Sequence, residues 1–348
     1  MTHSGAQGGH SRGAVIGTVL FYLVAALAMV MANKWVLNST EVPLFFLCTQ
    51  LMIAVVLFLI AHALGMLQVP LEFDPAVLKG LIPMVGLNVI GLSFSNYTLK
   101  YVDASFYQVA RGMVLPFTVA TSFVFIQARP SLMVLLACSV VTLGFFVGVF
   151  LDGTAVSLIG ITFGIASSMI TAMHSVVIKK SLDVVKGSAL HLSWYTNLVS
   201  AIVLLPLVFL AGEGSGVYNL FFGLHVVPAG GVSPLNTFLW GSAITGIFGF
   251  LMSIASLLSI KVTSPITHMV SSAVRGVAAS MLGVWLFSDI ISTGRAASIA
   301  TILIGSIFYT WVKHNESQAP KYERVPLEKV EEGKGEISPT QRSRTPSD

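Results

Sequence analysis

The stretches 99–117, LKYVDASFYQVARGMVLPF, and 260–277, IKVTSPITHMVSSAVRGV, each carry an arginine inside an apolar run. Arg111 and Arg275 cannot lose their proton. A guanidinium at bilayer depth costs about 2.5–3.5 kcal/mol on insertion scales, so a chain that accepts this twice has a use for the charge. The two segments share an order: a lysine at a helix end (Lys100, Lys261), a short linker with serine, a helix with a polar second turn, then Arg-Gly. Eleven residues separate lysine from arginine in the first copy and 14 in the second. One copy lies in each half of the chain, as an internal repeat requires.

Working outward, the 348 residues are 55% hydrophobic and only 10% charged, with mean hydropathy +0.84. Soluble domains carry about 25% charged residues, so this is a polytopic membrane protein. A hydrocarbon core of about 30 Å needs about 20 apolar residues per helix. Ten stretches qualify, at 14–36, 43–64, 77–98, 104–126, 131–151, 155–177, 188–211, 236–259, 265–287 and 293–312. The start of the chain lacks a short apolar core with a small-residue cleavage site, so the first helix is expected to be retained. With the N-terminus inside, Lys79, Arg129, Lys179, Lys180, Lys186 and Lys261 fall in inner loops, as the positive-inside rule asks. No lysine or arginine lies between Lys186 and Lys261. The fold expected is an all-α membrane protein of ten transmembrane helices. Five helices per half is odd, so the halves, 14–151 and 155–312, must be inverted repeats. A short cytosolic segment, 1–13, and a disordered cytosolic tail, 313–348, flank them. Inverted repeats are a hallmark of transporters that bind substrate at the midplane between the halves.

Residues three, four and seven apart share a helix face. Polar stripes form from Tyr107, Gln108 and Arg111; from His268, Ser271, Ser272 and Arg275; from Ser167, Thr171 and His174; from Ser193, Asn197 and Ser200; and from Ser93, Asn96 and Lys100. Five stripes on five helices suggest a central polar cavity, although serine and threonine stripes also serve interhelical packing. Lys34 lies close enough to the outer end of its span to snorkel to the headgroups. Arginine's planar fork suits phosphate oxygens, and the spans offer almost no Asp or Glu to neutralise Arg111 and Arg275. A phosphate ester or diphosphate is therefore the expected counter-charge, with Tyr107, Tyr195 and Asn197 suited to a base or sugar. Asn96, His174, His268, Ser271 and Ser272 complete the expected binding set. On a helical wheel Tyr195 and Asn197 stand about 160° apart, so a regular helix turns only one of them to a cavity. Gly144/Gly148 and Gly160/Gly164 are small-residue faces, which favour tight helix packing, with a homodimer as the alternative. There is no phosphate loop, metal-ligand cluster or nucleophile–base set. No enzyme activity, cofactor, metal or nucleic-acid partner is expected; the partners are small anions and membrane lipid.

At these residues the chain resembles the nucleotide-sugar and triose-phosphate translocators of the drug/metabolite transporter superfamily. Asn33-Lys34-Trp35-Val36-Leu37 resembles that family's first-helix signature. Arg111 five positions before Pro116 resembles its fourth helix, and Thr267, His268 and Arg275 resemble its ninth. The likeness is strongest to carriers of GDP-fucose, through NYTLKYVDASFYQVAR, IKKSLDVVKGS, WYTN and KVTSPITHMVS. It implies Golgi or ER residence and exchange of a cytosolic nucleotide sugar for a lumenal nucleoside monophosphate, with Arg111 and Arg275 holding phosphates. Trp194-Tyr195-Thr196-Asn197 matches the Phe-Tyr-Asn-Asn of GDP-sugar carriers only at Tyr195 and Asn197, and Gly276 stands where phosphate carriers have a second basic residue. A UDP-sugar or other organic-phosphate antiporter stays open in the same fold, and a non-transporting membrane scaffold in another class.

Overall fold

The computed structural model describes residues 12–72, 74–153, 156–223, 231–262 and 265–318, except the side chains of 12–16, 18, 19, 179 and 254–274. Twelve helices run through these residues: α1 (Arg12–Ser39), α2 (Pro43–Ala63), α3 (Pro75–Tyr101), α4 (Ala104–Gly112), α5 (Val114–Ile126), α6 (Leu132–Phe150), α7 (Leu158–Val184), α8 (Ala189–Leu210), α9 (Gly214–Phe222), α10 (Pro234–Val262), α11 (Pro265–Phe287) and α12 (Thr293–Gln318). No strand occurs among them. Counting α4 and α5 together, nine candidate spans among the described residues are long and apolar enough to cross a membrane. The bounds of α11 cover 23 residues, of which Arg275–Phe287 form its described apolar part.

Two expectations need correction and one is refined. The span expected over 104–126 is present as Ala104–Ile126, its helix interrupted at the single residue Met113 between α4 and α5. Pro116 has no N–H to offer the carbonyl of Gly112, so the ladder lapses there. The Gly/Pro stretch after α8 holds a further short helix, α9. The last helix does not stop at 312 but continues to Gln318, with Lys313 paired to Glu316 at 2.8 Å on its exposed end. The rest of the expected tail lies outside the described residues, as does 1–11 of the N-terminal segment.

The longest packed pairs are α6 with α12, α3 with α7, and α1 with α10. The first rests on small residues. A Cβ added at Gly144 would meet Ile302 at 2.8 Å, and one at Gly148 would meet the Ser298 hydroxyl at 2.6 Å. Ser298 Oγ also donates to the Gly144 carbonyl at 2.7 Å. The small-residue face therefore serves close packing within the chain. The α2·α8 and α4·α11 pairs are also packed together, and α4·α11 is the pair that carries Arg111 and Arg275.

Candidate functional site

Arg111 sits in the last turn of the nine-residue α4. Its Nη1 donates to the Tyr107 hydroxyl, one turn earlier, at 3.0 Å, with the guanidinium 5.6 Å from that ring's centroid. Tyr107 in turn lies 2.6 Å from Ser95 Oγ on α3. The arginine head is thus held by a fixed relay, yet Arg111 remains exposed, its surface opening into the bundle.

Two cavities meet at the arginines. One, of about 320 Å³, lies between α1, α2, α3, α4, α8, α10 and α11. Its polar lining includes Tyr22, Asn33, Gln50, Asn96, Tyr107 and Asn197. The other, of about 440 Å³, runs between α4, α5, α7, α11 and α12 past Thr118, Ser175, Ser306 and Tyr309. Gln108, Arg111 and Arg275 line both. Tyr22 of α1 hydrogen-bonds Arg275, and the two guanidiniums are close enough to repel. No carboxylate lines either cavity among the described residues. Two permanent positive charges thus face cavities whose described lining carries no acid, a setting that suits an anion.

Of the residues singled out from sequence, Tyr107, Asn96, Arg111, Asn197 and Arg275 come together around the central cavity. Tyr195 does not: it is buried, and its hydroxyl donates to the Glu72 carbonyl at 3.2 Å in the α2–α3 connection. The wheel separation from Asn197 is the reason. His174 lines neither cavity, and its Nε2 is buried without a hydrogen-bond partner. His268, Ser271 and Ser272 lie among the side chains outside the described residues. Lys34 does not snorkel. It is buried and donates to the carbonyls of Leu99 (2.9 Å) and Val102 (2.7 Å), closing the open end of α3.

Sequence reasoning missed a second cluster, at the end of the bundle where α3 and α6 finish and α4 and α12 begin. Arg295, 1% exposed, donates from Nε to Asp152 Oδ2 at 2.7 Å and from Nη1 to Asp103 Oδ2 (2.8 Å) and Ser105 Oγ (2.9 Å). Ser292 Oγ donates to Asp152 Oδ1 at 2.6 Å. Two carboxylates cap helices that have no side-chain cap of their own. Glu213 accepts from the backbone N–H of Leu44 and Phe45 at the start of α2, and from Tyr97 Oη at 3.2 Å. Asp289 accepts from Ser105 N–H at the start of α4. Each places negative charge at the positive end of a helix dipole. Burial first, and then the charge of Asp103, push the Asp289 carboxyl above its ordinary range, against the pull of the α4 N–H groups and Lys34.

Residues 14–310 match the model of the Triose-phosphate Transporter family. The chain is 31% identical over 312 residues to GDP-fucose transporter 1 of Mus musculus, covering 86% of this chain and 83% of that protein. It is 29% identical to GDP-fucose transporter 1 of Dictyostelium discoideum (85% and 80% covered) and 28% identical to the Golgi GDP-fucose transporter of Drosophila melanogaster (88% and 92% covered). A solved crystal structure superposes with a TM-score of 0.52 at 14% identity, covering 88% of this chain and 99% of its own, a likeness of fold alone.

Proposed function

The chain belongs to the Triose-phosphate Transporter family, a family of transporters and not of enzymes, and on that premise we propose that it carries a nucleotide sugar across the Golgi membrane. GDP-fucose or a related GDP-sugar is the preferred cargo, exchanged for a lumenal nucleoside monophosphate. One observation carries the reading: Arg111 and Arg275 face the same acid-free cavities, where a diphosphate neutralises both. The relatives named as GDP-fucose transporters support the base and the sugar.

The halves pair as α1 with α7, α2 with α8, α3 with α10, α4 and α5 with α11, and α6 with α12, ten spans in all. The packing supports this reading. Under that exchange α1·α10 becomes α7·α3, α2·α10 becomes α8·α3, α1·α11 becomes α7·α5, and α11·α12 becomes the packing of α4 and α5 on α6. Every one of these pairs is in contact, and α2·α8, α4·α11 and α6·α12 map onto themselves. With both termini in the cytosol, the Arg295 end faces the lumen. There Arg295, Asp289 and Glu213 of the second half tie down α2, α4 and α6 of the first. We assign this as the lumen-closed state.

Transport then follows from charge. An empty cavity holds two repelling guanidiniums, which disfavours the closed intermediate through which the halves must pass. A bound diphosphate removes the repulsion, so passage requires cargo in both directions. The test is exchange of GDP-fucose for GMP in proteoliposomes. Arg275→Ala is expected to lower the exchange rate by at least tenfold, since charge-assisted hydrogen bonds contribute about 1.5–3 kcal/mol. Wild-type exchange by the variant, or no nucleotide-sugar uptake by the wild type, overturns the reading. A UDP-sugar in place of the GDP-sugar would show as preferential exchange of UMP in the same assay. A scaffold would have no use for the cavity and would exchange neither.

A further inference from the structure

The α9 helix, in the connection from α8 to α10, carries three different flanks. Gly212, at φ +77°, turns the chain out of α8, and the nine residues Gly214–Phe222 follow. At about 100° per residue, Gly216, Val217 and Leu220 share one flank. Phe221, Tyr218 and Phe222 form the next, and Ser215 and Asn219 the third. The first flank is packed inside the chain. A Cβ added at Gly216 would meet Val42 at 2.9 Å, and Leu220 and Val217 join the core cluster that holds Val42, Phe46 and Phe238. Phe221 stands at the border, edge-on to Phe45 and Phe238 with ring centroids 6.1 and 6.3 Å away. Beyond it, Tyr218 and Phe222 are 65% and 75% exposed, their ring centroids 5.3 Å apart. Ser215 and Asn219 are exposed as well.

Three contacts fix where this helix stands. Glu213, the residue before it, accepts from the N–H groups of Leu44 and Phe45 in the first turn of α2. Gly216 rests on Val42, just ahead of that turn, and a Cβ at Gly214 would meet Phe209, in the last turn of α8, at 3.5 Å. α9 is therefore level with the place where two spans, Pro43–Ala63 and Ala189–Leu210, leave the hydrocarbon. Phe209 and Leu210 at the end of α8 are strongly exposed, as are Leu239 and Trp240 near the start of α10, which α9 also touches. On a chain that crosses a bilayer such side chains face lipid, and the Tyr218–Phe222 flank continues their surface at its edge. Charge narrows the partner further. Between Lys186 and Lys261 there is no lysine or arginine, and Glu213 is the single carboxylate. Nothing on this helix attracts an anionic headgroup, so the contact rests on apolar and aromatic burial.

We propose that α9 docks on the bilayer itself: Tyr218, Phe221 and Phe222 enter the boundary between headgroups and acyl chains in the leaflet where α2 begins, while Ser215 and Asn219 face water. The three flanks then each meet a different medium: protein, lipid and water. Tyrosine suits that depth, because its ring is apolar and its hydroxyl reaches the headgroups. The surface recognised is that of a zwitterionic phospholipid. Glu213 and Gly216 tie α9 to the first turn of α2, so the docked helix holds that end of α2 at the depth of the interface. The contact is independent of which cargo the cavity takes.

The test uses the full-length protein in phosphatidylcholine nanodiscs. Ser215→Cys, Tyr218→Cys, Asn219→Cys and Phe222→Cys each carry a nitroxide label; all four positions are exposed, and the native Cys48 and Cys138 are buried. The ratio of collisions with oxygen to collisions with a water-soluble nickel chelate is expected to be at least threefold higher at positions 218 and 222 than at 215 and 219. Phe222→Trp, which needs no label, is expected to add fluorescence that brominated phosphatidylcholine quenches by at least half. Exchanging about a third of the lipid for phosphatidylserine should change neither readout by as much as twofold; a larger change overturns the choice of a zwitterionic surface. Equal ratios at the four positions, or an added tryptophan that brominated lipid leaves unquenched, place α9 in water and overturn the proposal. Labels at 218 and 222 shielded from both reagents also overturn it, in favour of a second copy of this chain on that flank.

Discussion

Arg295 makes two ion pairs of very different worth, and a double-mutant cycle separates them. Its guanidinium is 1% exposed, and the Asp152 side chain is 0% exposed. Asp103, its other partner, is 45% exposed. Breaking a buried pair by removing one member costs about 3–5 kcal/mol, because the other charge is left without compensation. Ser292 still donates to Asp152, which places the expected loss for Arg295→Leu near the lower figure, about 3 kcal/mol. The half-exposed Asp103 pair is screened by solvent and falls in the range of about 0–1 kcal/mol. Arg295→Leu should therefore destabilise strongly, Asp103→Leu weakly, and the double change Arg295→Leu with Asp152→Leu should recover most of the loss, since a desolvated pair can be replaced by apolar packing. Thermal unfolding in detergent, followed for the singles and both doubles, gives the two coupling energies. Coupling to Asp103 as large as coupling to Asp152 would refute the burial argument, and so would a double variant no more stable than Arg295→Leu alone.

Two further expectations concern the same end of the bundle and its link to the cavity. Pro116→Ala restores an N–H that can bond the Gly112 carbonyl and fuse α4 to α5; nucleotide affinity should stay within twofold while the maximal exchange rate falls severalfold, read from proteoliposome kinetics. Asp289 has a folded-state pKa above its ordinary value of 3.8. Its contribution to stability is thus full below that value and is lost as pH rises through the raised one. Asp289→Asn, which keeps an acceptor for Ser105 N–H, should raise the unfolding temperature at neutral pH and bring it level with wild type near pH 4; a variant less stable than wild type at neutral pH would contradict the sign.

Much of the central site was legible because it obeys local rules. A guanidinium inside an apolar helix is visible in one dimension, and its recurrence at Arg275 needs only an alignment of the chain with itself. The break at Met113 could be read from Pro116, had the missing N–H been weighed against the apolar run. The wheel likewise separated Tyr195 from Asn197. The Arg295 cluster was not legible. Asp103 and Asp152 lie in two connections and Arg295 in the first turn of α12, up to 192 residues apart, and each passes for an ordinary charge at a helix end. Only the convergence of three helix ends turns them into one network. Lys34 misled for a related reason: a lysine one turn from a helix end snorkels only if water is closer than a neighbour's unsatisfied carbonyls, and the end of α3 lies closer.

The strengths of these contacts suit the alternating access proposed above. Arg295 and Asp152 join α12 to α6, the pair already locked through Gly144, Gly148 and Ser298. That bond has no reason to break during transport, and it is the buried one. The contacts that hold α4 are Asp103 on its solvent side, the Ser105 hydroxyl, and the Asp289 carboxylate on the Ser105 N–H at 3.4 Å. These are the weaker ones, as the proposed transport cycle asks of a helix that moves. α4 is nine residues long, about 13 Å, with its first turn in the Arg295 cluster and Arg111 in its last. At Met113, which keeps helical dihedrals, one ladder bond is missing between α4 and α5. In the transport reading proposed above, a substrate that draws Arg111 toward Arg275 would pull on the same two and a half turns of helix that Asp289 caps, so cargo binding and closure of the Arg295 end would act on one short lever.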